Sequence, residues 1–192
     1  MKGRRLREVL AVTGMAVFAS ATAWGSIFEP VSDQQLVCES LDIVRGTIVS
    51  TEAAWEGDPE AIWTRAVLQV ERAIRGERHP GDLIDIKEIG GTVGDYTIVA
   101  HQFPSFRTGD EIVVMLAPWD DGSEEMRVWG FGRGMFMVAR QHGRPDEARR
   151  YDLVESSHPT MHTDRLQPMT DVDDLVRSLH TLSGQCPKGG AR

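Results

Sequence analysis

The stretch Leu41-Asp-Ile-Val-Arg-Gly-Thr-Ile-Val-Ser50, followed after Glu56-Gly57-Asp58-Pro59 by Ile62-Trp-Thr-Arg-Ala-Val-Leu-Gln-Val-Glu-Arg-Ala-Ile74, decides the fold. Branched aliphatic residues dominate the first run. In the second, Ile62, Ala66, Leu68, Val70 and Ile74 fall on even positions, whereas Arg65, Gln69 and Glu71 fall on odd ones. A period of two sustained over so long a run belongs to a strand with one face in a core and the other in water. The Gly-Asp-Pro break between the runs is a loop.

Working outward, further strand candidates follow at short spacing, each bounded by Gly, Pro or Asp. They are 82–89, ending at Gly90-Gly91; 96–103, ending at Pro104; 111–116, after Gly109-Asp110; and 126–138, interrupted by Gly130, Gly132 and Gly134. Several short strands with regular turn signals predict a barrel or a sandwich. Ile112-Val-Val-Met-Leu116 is apolar throughout and reads as the most buried strand. The glycines within 126–138 point to sharp coiling of the kind barrels use to close.

Past this region the chain turns polar and stays irregular to Pro168. Val172, Leu175, Val176, Leu179 and Leu182 then recur at helical spacing behind a capping-box-like Thr170 and Asp173, predicting one amphipathic helix that ends near Gly184. The expected organisation is a leader over 24–37, a β-barrel domain over 38–139, an irregular excursion over 140–168, a helix packed on the barrel over 169–186, and a frayed basic tail over 187–192.

The first residues, MKGRRLREVLAVTGMAVFASATAWG, have the three-part grammar of a secretory signal peptide. Lys2, Arg4, Arg5 and Arg7 form the cationic start, an apolar run follows, and Ala21-Thr22-Ala23 supplies a small-x-small cleavage site. Thr13, Gly14, Ser20 and Thr22 interrupt the run, and an anchor needs about 20 mostly apolar residues. The expectation is therefore cleavage after Ala23, with a secreted or periplasmic product that keeps no membrane anchor. Loss of residues 1–23 removes four cations and one carboxylate, taking the net charge from −8 to −11. Such a surface repels phosphate backbones, which argues against a nucleic-acid partner.

Both cysteines, Cys38 and Cys186, remain after cleavage. An even count in an oxidising compartment reads as a disulfide tying the first strand to the last helix. With no C-x-x-C pair and no third cysteine, a thiolate metal site is not indicated.

The segments Cys38-Glu-Ser-Leu-Asp-Ile-Val-Arg-Gly-Thr-Ile-Val-Ser and Trp63-Thr-Arg-Ala-Val-Leu-Gln-Val-Glu-Arg-Ala-Ile-Arg-Gly76 resemble the opening of netrin-like domains. That OB-fold superfamily includes the tissue inhibitors of metalloproteinases. Ile89-Gly-Gly-Thr-Val-Gly94, Phe106-Arg-Thr-Gly-Asp-Glu-Ile-Val-Val-Met-Leu116 and Gly130-Phe-Gly-Arg-Gly-Met-Phe-Met-Val138 look like uncharacterised exported bacterial proteins of the same build. The resemblance implies a mainly β fold, a five- or six-stranded OB-like barrel with a C-terminal amphipathic helix. It does not carry over the inhibitors' zinc chelation, which uses an N-terminal cysteine. Here Cys38 follows the expected cleavage point by about 14 residues, so its nitrogen is an ordinary amide.

No local pattern announces catalysis: there is no G-x-S-x-G and no cysteine in a motif context. A catalytic set assembled from distant residues, as in a small hydrolase, leaves no such trace. His158-Pro-Thr-Met-His162 and the pair Met135/Met137 are the residues a periplasmic metal-handling protein would use. However, Pro159 argues for a loop rather than a shared helix face, and alternate methionines on a strand also pack cores. Asp120-Asp121-Gly122 reads as a hairpin turn rather than a calcium loop, and 90–94 as a turn rather than a phosphate loop.

Four tryptophans, Trp55, Trp63, Trp119 and Trp129, stand out in the domain. Trp55 lies near a loop and Trp63 on the wetter face of its strand, so these two are the expected partner-binding residues. The loops after Ser50 and before Trp63, together with 90–94, form the expected rim. The functional expectation is a non-catalytic, monomeric binding or interaction module for another exported protein or extracellular ligand, with no cofactor.

Overall fold

The computed structural model describes residues 31–140, 145–151 and 169–187. The expected signal peptide, His142, His158, His162 and the tail from 188 lie outside the described residues. Asp42–Glu56 (β1) and Ala61–Arg75 (β2) are antiparallel strands of 15 residues each; β1 runs six residues past the expected end at Ser50, and β2 exceeds the alternating run by one residue at each end. Leu83–Ile89 (β3), Gly91–Val93 (β4), Tyr96–Ile98 (β5), Glu111–Pro118 (β6), Met126–Val128 (β7), Met135–Ala139 (β8), Glu147–Arg150 (β9) and Met169–Asp171 (β10) follow.

Five strands close a ring in the order β1-β2-β3-β7-β6, with β6 returning to β1. Every contact in the ring is antiparallel except β3 with β7. This is the mainly β, OB-like barrel expected from the sequence. Beyond β6 the sheet continues through β8, β9 and β10, while β4 and β5 form a separate hairpin.

The core has two compartments. Inside the ring, Val44, Ile48, Ala66, Leu68, Ile86, Ile112, Val114, Leu116 and Met135 pack together. On the outer side of β1, β6 and β8, Ile43, Val113, Met115 and Phe136 meet Leu36, Val37, Val172, Leu175, Val176 and Leu179. β6 is thus covered on both faces, which is why its sequence is continuously apolar rather than alternating.

Two helices supply that outer cover. Asp33–Glu39 (α1) is capped by Ser32, whose side chain accepts from the Gln35 N–H. Val172–Gly184 (α2) is capped by Asp171, which accepts from the N–H groups of Asp173 and Asp174. A disulfide joins Cys38 to Cys186 across the two helices, with the Cα atoms 5.3 Å apart, inside the range such bonds require. A second tie is buried: both terminal nitrogens of Arg150 donate to Asp33 Oδ1 at 2.9 Å, and the guanidinium lies over the Phe136 ring.

Several expectations are corrected here. The end of the leader is helical, because Ser32 is an N-cap and Leu36 and Val37 have a core to enter. The 96–103 candidate stops at Ile98, where its partner β4 runs out. The 126–138 candidate is two strands separated by a 3-10 turn, Phe131–Gly134, so Met126 and Met135 lie on different strands. The excursion contains β9, whose Ala148 and Arg150 are buried. The helix begins at Val172 with Asp171, not Thr170, as its cap.

The bond between Cys38 and Cys186 spans 148 residues. Closing so long a loop constrains the unfolded chain and contributes up to roughly 5 kcal/mol in the chain-entropy account. Replacing both cysteines with serine is expected to lower the unfolding free energy by about 2–5 kcal/mol. Urea titrations of the two proteins would check this. An unchanged midpoint would show that the docking of α1 and α2 does not depend on the bond.

Candidate functional site

The register of β1 on β2 sorts the side chains of their distal halves. Thr51 opposes Ala66, Ala53 opposes Thr64 and Trp55 opposes Ile62, and these share one face; Glu52 with Arg65 and Ala54 with Trp63 share the other. β6 follows β1 only from Asp42 to Thr47, with Ile48 reaching Gly109 and Asp110 just beyond. A register shift falls at Val49. From there the β1–β2 pair runs on as an arm whose β1 edge has no ladder partner among the described residues.

The β4–β5 hairpin lies on the first face of this arm. Thr64 Oγ1 donates to the Gly90 carbonyl at 2.7 Å, and the Gly90 N–H donates to the Ile62 carbonyl at 2.8 Å. Gly91 has φ +128° and no room for a Cβ against Thr64 Oγ1 and Ala53, so only glycine lets the hairpin approach this closely. At the far end Trp55 meets Tyr96 edge to face, with ring centroids 5.9 Å apart.

Between the arm edge, the hairpin and the 103–107 segment is an open cleft of about 560 Å³. Its lining includes Thr51, Glu52 and Ala53 at the free edge of β1, together with Val99, Phe103 and Phe106. Tyr151 closes the floor, its hydroxyl accepting from the Ser105 N–H at 2.9 Å. Val99 in the lining is 68 % exposed; beyond the lining, Trp55 is 40 % exposed and its partner Tyr96 67 %. The lining offers hydroxyls, one carboxylate and one guanidinium, Arg107, but neither imidazole nor thiol. The chemistry this lining offers is apolar packing and hydrogen bonding.

Beside the cleft the backbone is strained. Gln102 and Phe131 are non-glycine residues with φ of 72° and 58°. They are coupled: the Gly132 N–H donates to the Gln102 carbonyl at 2.7 Å, and the Phe103 and Phe131 rings meet edge to face at 4.9 Å. A bulky residue in this region is unusual and concentrates where surrounding contacts hold a functional shape.

The other face of the arm is a bound structure rather than an open one. Arg65 bridges Glu56 and Glu125, and Lys87 reaches the same two carboxylates at 3.0 and 3.5 Å. Lys87 also lies over Trp63, Trp63 meets Trp119 at 5.7 Å, and Arg127 sits 5.1 Å from both Trp119 and Trp129. Hydrogen bonds from Arg65 and then Lys87 hold the Glu56 carboxyl down at about 2. This network fastens the arm to β3 and to the β6–β7 connection.

Trp55 and Trp63 are therefore not brought together: adjacent in the ladder, they point to opposite faces, and only Trp55 shares its face with the cleft-lining Ala53, itself lying beyond the lining. Residues 51–53 and 90–92 of the expected rim do line the cleft, but 51–56, 61–62 and 91–93 are strand where loops and a turn were expected. Met126 and Met135 lie in the barrel core and Met137 packs against it, the packing role that alternate methionines on a strand were expected to fill. Among the described residues no three His, Cys, Asp or Glu side chains gather as a metal site. Asp121 and Gly122 form a turn in which the Asp121 side chain accepts from the Ser123 N–H. Tyr96 and Phe131 were not singled out from sequence, because only the β4–β5 fold-back sets Tyr96 against Trp55 and only the 3-10 turn sets Phe131 against Phe103.

Glu88 was also missed. It projects into the barrel beside Ile84 and Ile86, 2 % exposed, and accepts the Val128 N–H at 2.6 Å. Burial pushes its carboxyl up to about 8, against the opposing pull of that N–H and of Arg127. No family model, curated protein or solved structure matches this chain.

Because the folded state holds the Glu88 proton more tightly than the unfolded chain, its contribution is complete below the ordinary glutamate range near 4.5. It is lost as pH rises toward about 8. Glu88→Gln keeps an acceptor for Val128 and removes the titration. Urea midpoints are expected to coincide near pH 5 and to favour the variant by roughly 3–5 kcal/mol near pH 8. Parallel pH profiles for the two proteins would contradict this account.

Proposed function

We propose that this protein is an exported, non-catalytic binding module of netrin-like OB type that holds a protein partner in the cleft between the β1–β2 arm and the β4–β5 hairpin. The observation that carries the reading is the exposed Trp55–Tyr96 pair, next in line after the cleft-lining Ala53 on the same face of the arm, beside an unpaired strand edge. Large rigid aromatics contribute disproportionately to protein recognition, and here two of them are already held by each other.

Export is supported by the signal-like N-terminus and by a disulfide compatible with an oxidising compartment. No helix among the described residues is long and apolar enough to cross a membrane. N-terminal sequencing of the exported protein is expected to begin at Trp24; a chain starting at Met1 would remove the localisation.

The two faces of the arm separate binding from stability. Trp55→Ala and Tyr96→Ala together are expected to weaken capture of exported partners by tenfold or more, the loss of roughly 1.4 kcal/mol or greater, with the thermal midpoint nearly unchanged. Trp63→Ala, which removes the platform under Lys87 and Trp119, is expected to lower stability by about 2 kcal/mol and leave capture intact. Equal binding by the Trp55/Tyr96 variant would move the site elsewhere.

A further inference from the structure

The cleft proposed above has a wall of unusual chemistry. Among the described residues, 49–56 form the continuation of a 15-residue strand whose other edge is fully paired, while the edge toward the cleft is open. Exposure begins at Val49, where β6 is left behind, and Ser50, Thr51 and Glu52 are exposed in turn. Alternate residues of such an edge direct N–H and C=O groups outward in the spacing of a ladder. An incoming extended chain satisfies them by adding a strand.

The side chains bordering the edge specify what that chain carries. A strand added to β1 would place successive residues on alternate faces, each beside its same-face neighbours. On the cleft face it would meet Ala53, Trp55 and the apolar wall of Val99, Phe103 and Phe106. On the opposite face it would meet Glu52, while Glu56 further along is already held by Arg65 and Lys87. Glu52, Asp58, Glu60 and Asp95, on the edge, at the arm tip and in the hairpin turn, have no ion-pair partner among the described residues. Arg107 is the one cation in the cleft lining. A second copy of this chain would bring the same carboxylates and a net charge of −8 against them.

We propose that the open β1 edge over residues 49–56 takes up an extended peptide segment of a partner protein as an added strand, and that the segment alternates basic with apolar residues. Main-chain hydrogen bonds supply the pairing. The apolar positions enter the cleft, and the basic ones face Glu52 and the acidic tip. This inference rests on the cleft being the binding site.

The test uses the full mature chain with its disulfide and a fluorescein-labelled heptapeptide alternating lysine and valine, followed by anisotropy. Two further peptides of identical charge are N-methylated, one on the odd residues and one on the even, so that each loses the donors of one edge only. Saturable binding is expected, with one methylated peptide weakened roughly tenfold or more and the other close to the parent. Glu52→Lys is expected to weaken the parent about three- to tenfold without shifting the thermal midpoint. Equal behaviour of the two methylated peptides, or no saturation by any of them, overturns strand addition. Equal binding of a glutamate–valine peptide overturns the charge assignment. A concentration-dependent dimer in sedimentation, abolished by Thr51→Pro or by Glu52→Lys, gives the edge to a second copy and overturns the proposal as well. If Trp55→Ala with Tyr96→Ala reduces partner capture while the methylated peptides behave alike, the cleft stands and strand addition falls; if neither has an effect, both fall.

Discussion

Strand β1 takes part in two pairings of unequal length. With β2 it is paired from Ile43 to Glu56, whereas β6 accompanies it only from Asp42 to Thr47. The shared half closes the barrel, because there β1 is bonded on both edges and its side chains enter a core on each face. The unshared half has one open edge and must be stabilised by other means. The position of the cleft, the exposure of its rim and the network on the outer face of the arm all follow from where β6 stops.

That arm is held by two different kinds of interaction. On the outer face, Arg65 and Lys87 neutralise Glu56 and Glu125 beside the Trp63–Trp119 pair, so the charges are compensated and partly desolvated together. On the cleft face a glycine contact and two hydrogen bonds seat the β4–β5 hairpin. The arm is thereby fixed without its free edge being used. A rigid open edge is an aggregation liability, and the exposed Glu52 carboxylate on it is one means of discouraging self-association.

The helices answer a separate need. β1, β6 and β8 are apolar on both faces, and the second face would be wet without α1 and α2. The disulfide and the Asp33–Arg150 pair hold this cover in place from two directions. Breaking the latter by removing one partner would strand a buried charge, which is more costly than the pair is stabilising. Glu88 is the complementary case, a carboxyl inside the barrel that avoids the cost of a buried charge by remaining protonated.

Local periodicity determined much of this protein directly. The alternation of 62–74, the unbroken apolar run at 112–116 and the helical stripe from Val172 to Leu182 each identify an element, because burial imposes a period on contiguous residues. The cysteine pair was legible for a similar reason, since two thiols and an oxidising address leave one pairing within the chain. Element ends were less legible: β5 stops where β4 does, and Asp171 takes the cap because the chain arrives there as a strand. The site was legible only in part. The rim could be read from turns, but the side to which Trp55 and Trp63 point depends on a register shift at Val49 and on the hairpin that covers one face. Tyr96, Phe131 and Glu88 acquire their environments from residues far away in the chain, and no sequence period connects them. Tertiary structure alone decided that one tryptophan stands exposed on the cleft side of the arm and the other is packed into the scaffold, because the two faces of a strand become different surroundings only when the sheet has folded around them.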